Sequence, residues 1–334
     1  MVLLQVFGLF ALMIVGFAVG KLRIVDSSAI KGMSNLIVKA TLPALILMSL
    51  QRPFSRELLG DSALMFAVSL GFYAGMMLIS SLVARALGVG PKKAGALAFA
   101  LAFSNCGFIG FPVVTSILGE DALFLTSIHN CAFNLIVFTV GILIISGAGS
   151  GAKISSGDKV GSGGKSGSRA KADSRAKLSS RARFRVPVKN IFNVNVVAAI
   201  VGFILFVASI TIPRFLALPL NLLGGVTTPL AMVVTGAMLS RIPLKSAFGD
   251  WRLYAASALR LAVWPLLTAG ALTLLGIGGQ IKYITVIIAA MPAASNTSLI
   301  AEVYGGDTDT ASSIVCLTTL LSVVTIPVMA LMLA

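Results

Sequence analysis

Long apolar runs, separated by short polar turns, fill almost the whole chain. Windows of roughly twenty apolar residues fall at 2–20, 29–50, 62–85, 94–118, 122–146, 191–211, 217–239, 253–276, 281–304 and 311–333. A helix of that length crosses the hydrocarbon core of a bilayer, so the pattern predicts an all-α integral membrane protein with about ten transmembrane helices. The first window has no basic residue before it, and its first charge is Lys21. It is therefore expected to be a retained span rather than a signal peptide.

Two of the windows are interrupted. Within 94–118 lies Ser104–Pro112, SNCGFIGFP, where Gly107, Gly110 and Pro112 each weaken a helix. Backbone freed in hydrocarbon finds no water. The unwound peptide is thus expected to line a protected polar cavity, with half-helix dipoles aimed at a solute. A second interruption, Met291–Ser298 (MPAASNTS), occupies the corresponding place later in the chain. Five windows precede and five follow a polar linker, and an odd number per half inverts one half relative to the other. Pro43 and Pro229 mark the same repeat in the second and seventh windows. The expected organisation is a first five-helix repeat at 1–146, a linker at 147–190, and a second, inverted repeat at 191–334.

Charge then orients the array. Only 11% of residues are charged against 57% hydrophobic, which excludes an ordinary soluble domain. Eleven of the 26 Lys and Arg lie between Lys153 and Lys189, in a segment rich in Gly and Ser. Such a segment cannot bury a core, and its charge predicts a disordered cytoplasmic linker attracted to anionic lipid headgroups. The short loops agree if the N- and C-termini are outside. Lys21, Arg23, Arg85, Lys92, Lys93, Arg241, Lys245 and Arg252 then face the cytoplasm, and Arg52, Arg56, Arg214 and Lys282 do not. The expected location is the cell membrane. No aromatic platform accompanies the charge, which argues against nucleic acid. GGKS at Gly163–Ser166 has Lys159 where a phosphate-binding loop needs its first glycine, which argues against ATP. Cys106, Cys131 and Cys316 fall within spans without metal spacing, so neither metal nor cofactor is expected. Gly16/Gly20 and Gly71/Gly75 are pairs that let helices approach closely.

Polar groups inside a bilayer are costly and mark function. At the interruptions stand Ser104, Asn105, Gly107, Pro292, Ser295, Asn296 and Thr297. The fifth window adds His129, Asn130 and Asn134, the last two on one helical face, and Glu302 lies near the inner end of the ninth. An amide offers donors and acceptors without the cost of burying a charge. The substrate site is therefore assigned to Asn105, Gly107, Asn130, Asn134, Pro292, Ser295 and Asn296. Ion coupling is assigned to His129 or Glu302 for protons, or to Ser104 and Thr297 for sodium. Lys39 is expected to snorkel, and Arg260 to meet either a carboxylate or a lipid headgroup. No span holds paired acids, so an organic anion fits better than cation exchange. An enzyme is not expected, for want of a nucleophile–base pair. A membrane scaffold that uses the linker to recruit partners is the competing class.

At these residues the chain resembles the auxin efflux carrier family, which includes plant PIN carriers and bacterial dicarboxylate permeases. The resemblance rests on SNCGFIGFP, on NCAFNLIVFTVG (Asn130–Gly141), on AAMPAASNTSLIAEVYGGD, and on TLLSVVTIP (Thr319–Pro327). It implies a fold like that of bile acid/sodium symporters, with the fourth and ninth helices crossing where they unwind. It also implies elevator-type transport of a small mono- or dicarboxylate or an auxin-like acid, and homodimers as among the plant carriers. A sodium-coupled symporter of the bile-acid type is the alternative. Asn105 matches the family's crossover asparagine and Pro292 the crossover proline. Ser104 departs from the proline that plant members carry there.

Overall fold

A computed structural model of the protein describes residues 2–147, 193–241 and 249–333. The linker beyond Gly147, with its expected disorder and lipid contacts, and Lys245 lie outside the described residues. Regular structure among the described residues is helical, apart from one isolated bridge between Ser104 and Ala293. Seven helical stretches are long and apolar enough to cross a membrane: Leu4–Lys21, Ser27–Ser49, Arg56–Ala86, Glu120–Ile145, Arg214–Leu239, Trp251–Leu274 and Thr308–Met332. Three apolar helices are shorter: Cys106–Leu118, Val194–Val207 and Gly279–Ala290. Large apolar side chains cover the outside, Leu274 being 90% exposed. Water would penalise that surface and lipid does not.

In chain order the helices are α1 (Val2–Lys21), α2 (Ser27–Leu36), α3 (Leu42–Ser49), α4 (Arg56–Ala86), α5 (Pro91–Ala102), α6 (Phe111–Leu118), α7 (Leu123–Ile136) and α8 (Ile142–Gly147). They continue with α9 (Val194–Val207), α10 (Arg214–Gly225), α11 (Thr227–Leu239), α12 (Trp251–Ala258), α13 (Trp264–Leu274), α14 (Gly279–Ala290), α15 (Thr297–Tyr304) and α16 (Thr308–Leu333). Three π turns, Ile37–Thr41, Cys106–Gly110 and Leu259–Val263, are each followed two residues later by a proline: Pro43, Pro112 and Pro265. A proline ring clashes with the carbonyl four residues back, which is the middle residue of each turn, and the helix widens there. A fourth π turn, Val137–Gly141, ends on Gly141. A Cβ there would lie 3.0 Å from the Phe103 ring.

The two halves are joined most closely by α1 and α11. A Cβ on Gly16 would collide with the Val233 backbone, and one on Gly236 with the Met13 backbone. The Gly16/Gly20 pair is thus an internal seam. A Cβ on Gly71 or Gly75 would meet nothing within 4 Å, and both glycines border an apolar groove with α13. α5, α7 and α16 are largely buried, α4 packs one face against α5 and α7, and the two chain breaks, 103–105 and 291–296, sit among these helices.

Candidate functional site

The two interruptions meet. The Asn105 N–H donates to the Pro292 carbonyl at 2.8 Å, and the Ala294 N–H donates to the Phe103 carbonyl at 3.0 Å. Each break takes up backbone groups that the other leaves over, which water would otherwise have to satisfy. The Ala293 N–H goes instead to Thr318 Oγ1 on α16, at 3.2 Å. A Cβ at Gly110 would stand 2.8 Å from Ile288 Cδ1, so a side chain there would have to push aside the tip of Ile288.

Asn105 holds the junction with its side chain. Its Oδ1 accepts the Phe108 N–H at 3.2 Å, capping its own half-helix, and its Nδ2 donates to Ser295 Oγ at 2.7 Å. Four helix ends converge around this pair. The carboxyl ends of α5 and α14 arrive, and the amino ends of the stretch Cys106–Leu118 and of α15 depart. Asn296, at the amino end of α15, makes no capping bond with its side chain. The amino ends carry partial positive charge and free amide donors.

Beside the junction is a cavity of about 150 Å³, with Ser104, Gly107 and Ser295 on its wall together with six asparagines: 105, 130, 134, 193, 195 and 296. Among the described residues, no acidic or basic side chain lines it. The amides form a chain. Asn130 Oδ1 accepts from Cys106 Sγ at 3.4 Å, Asn134 Nδ2 donates to the Asn130 carbonyl at 2.8 Å, and Asn193 Nδ2 donates to Asn134 Oδ1 at 3.0 Å. Asn193 Oδ1 also caps α9 by accepting the N–H groups of Asn195 and Val196, both at 3.1 Å. Asn195 is 6% exposed, and its Oδ1 has no hydrogen-bond partner among the described residues. A buried amide oxygen left open on a cavity wall calls for a donor such as a water, and the same side chain carries an NH2 group that can donate to a carboxylate.

Of the expected substrate residues, Asn105, Gly107, Asn130, Asn134, Ser295 and Asn296 line this cavity, and Pro292 contributes its carbonyl to the bridge. Ser104 lines it too. The other expected coupling residues are elsewhere. Thr297 is buried and donates to the Ala294 carbonyl at 2.6 Å. Glu302 is exposed and borders a larger cavity of about 440 Å³, shared with Arg241 and reaching Ser295. His129 is fully buried away from the lining. Ser69 Oγ donates to the Met65 carbonyl at 2.7 Å, so it accepts from His129 Nδ1–H at 2.8 Å. Nε2 is then left to accept from the Tyr73 hydroxyl at 2.8 Å. This arrangement spends both ring nitrogens on tying α7 to α4. Asn193 and Asn195 are the site residues that the sequence pattern misses. They open an apolar run, where asparagine reads only as a helix cap.

Residues 1–330 match the family model described as "Membrane transport protein". An "Uncharacterized transporter" of Methanothermobacter thermautotrophicus is 27% identical over 327 residues, covering 96% of this chain and 95% of that protein. A Rhizobium meliloti protein named "Putative malonate transporter" is 28% identical over 327 residues, covering 95% of this chain and 91% of its own.

Proposed function

Because this chain belongs to the membrane transport protein family, the auxin efflux carriers among them, we propose that it carries a small organic anion through the junction of its two broken helices. Family and relatives mark it as a transporter rather than an enzyme. The observation that carries the proposal is the asparagine-lined cavity beside two half-helix amino ends. A carboxylate there takes amide and backbone donors, and the helix ends favour negative charge. The name of the Rhizobium meliloti relative points to malonate, a three-carbon dicarboxylate. Size agrees: a cavity of about 150 Å³ holds a molecule as large as benzene, and malonate has one heavy atom more. An auxin-sized acid needs the site to widen.

The ten expected spans form two inverted repeats, with both termini outside and the linker in the cytoplasm. The cavity wall draws on Asn193, Asn195 and Phe138, close in sequence to that linker, which supports a site opening toward the cytoplasm. Transport then proceeds by elevator-type movement of the crossed helices against the α1–α11 seam. Coupling rests on the site itself rather than on His129, whose ring is fully engaged. Reconstitution in liposomes with labelled malonate, succinate and acetate, with and without pH and sodium gradients, tests the proposal. Uptake of one acid supports it and identifies the coupling ion. Uptake of none, with cation exchange instead, overturns it.

A further inference from the structure

Arg260, in the π turn between α12 and α13, is the charged side chain that lies fully buried among the described residues. No carboxylate answers it, the one ion pair among those residues being Arg52–Asp121 at the surface. Its partners are carbonyl oxygens. Nε donates to Met291 O at 3.1 Å and Nη1 to Leu101 O at 2.9 Å, while Nη2 is buried without a partner among the described residues. Trp264 Nε1 also donates to Leu101 O, at 2.9 Å. Leu101 lies in the last turn of α5, and Met291 is the residue that ends α14. One guanidinium therefore clasps the carboxyl ends of both half-helices that enter the junction.

An unpaired cation in the middle of a membrane protein is expensive. The helix ends explain why it is kept. Each carboxyl end carries about half a negative charge and each amino end about half a positive one. With two of each meeting at the junction, the four ends nearly cancel, and an anion would feel little net field. A guanidinium on the carboxyl pair offsets about one negative charge and leaves the amino pair unopposed.

We propose that Arg260 is the positioning residue of the anion site: it locks the two half-helix carboxyl ends together and gives the junction the positive balance that selects anions over neutral analogues. This inference rests on the carrier reading above.

The test compares binding of malonate and its neutral diamide to purified wild type, R260Q, R260K and W264F, each checked for insertion and thermal stability. R260Q is expected to lower the preference for malonate over the diamide tenfold or more. R260K, which keeps the charge, and W264F, which removes the other donor to Leu101, should both stay within threefold of wild type. A parallel loss of both ligands in R260Q, or no loss of either, overturns the proposal. If R260Q fails to insert, R260K decides, because loss of malonate binding by inserted R260K overturns it as well. The substitution N105D separates the two levels: binding lost in N105D but intact in R260Q removes this inference and leaves the site. Wild type that binds none of malonate, succinate and acetate removes the carrier reading and this inference with it.

Discussion

Replacing Asn105 by aspartate separates what its side chain does for the helix from what it does for the solute. Asp keeps an oxygen where Asn105 Oδ1 accepts the Phe108 N–H, and Ser295 can turn its hydroxyl to donate rather than accept. The cap survives, so any loss of stability should come from desolvating the new carboxylate at a position 4% exposed rather than from the helix end. What Asp adds is a negative charge on the cavity wall. At a separation of about 5 Å and an effective dielectric constant of about 20, repulsion of a carboxylate is about 3 kcal/mol, roughly a hundredfold in affinity. Alanine at the same position behaves differently. It removes the cap and the Ser295 bond, each worth about 1 kcal/mol, so it lowers stability as well as binding. Isothermal titration of malonate against both variants, alongside thermal unfolding in detergent, gives the two quantities. A stable N105D that binds malonate as tightly as wild type refutes an anion seated at this junction.

Other outcomes follow from neighbouring parts of the molecule. H129Q should lose about 1–3 kcal/mol of stability through the broken Ser69–His129–Tyr73 bridge yet keep the pH profile of uptake, as pH-stepped liposome assays can check. Asn195→Ala removes an amide whose oxygen has no partner among the described residues, so thermal unfolding should be little changed, while loss of its Nδ2 donor should lower malonate affinity; equal affinity would take Asn195 out of the site. A leucine at Gly236 must displace the Met13 backbone and should abolish monodisperse expression by size-exclusion chromatography, whereas alanine at Gly71 should be silent.

Both breaks are legible in the sequence because glycine, proline and asparagine within an apolar run weaken a helix that lipid would otherwise keep whole. The pairing of the breaks is legible too, since corresponding places in two halves imply a meeting point. Less visible is what completes the site. Asn193 and Asn195 look like ordinary helix-capping residues, and only the packing of α9 beside α7 brings Asn193 onto Asn134 and Asn195 to the cavity wall. Arg260 can be seen to sit too deep for comfort, but its partners are carbonyls from residues 101 and 291. Which carbonyls a helix leaves over is decided by where it stops, and no residue type announces that. His129 is the opposite case. A lone histidine attracts a chemical role, while its two hydroxyl partners on α4 stand 60 and 56 residues earlier in the chain, where nothing in the pattern links them to it.

The bridge between residues 105 and 292 also bears on how the protein is made. The first break is synthesised nearly two hundred residues before the peptide that completes it. At about 5–20 residues per second, its unsatisfied amide waits on the order of ten to forty seconds for a partner. During that interval the nascent half must be sheltered, by the insertion machinery or by water held at its broken helix, and a ribosome stalled between the halves leaves a species for quality control to remove.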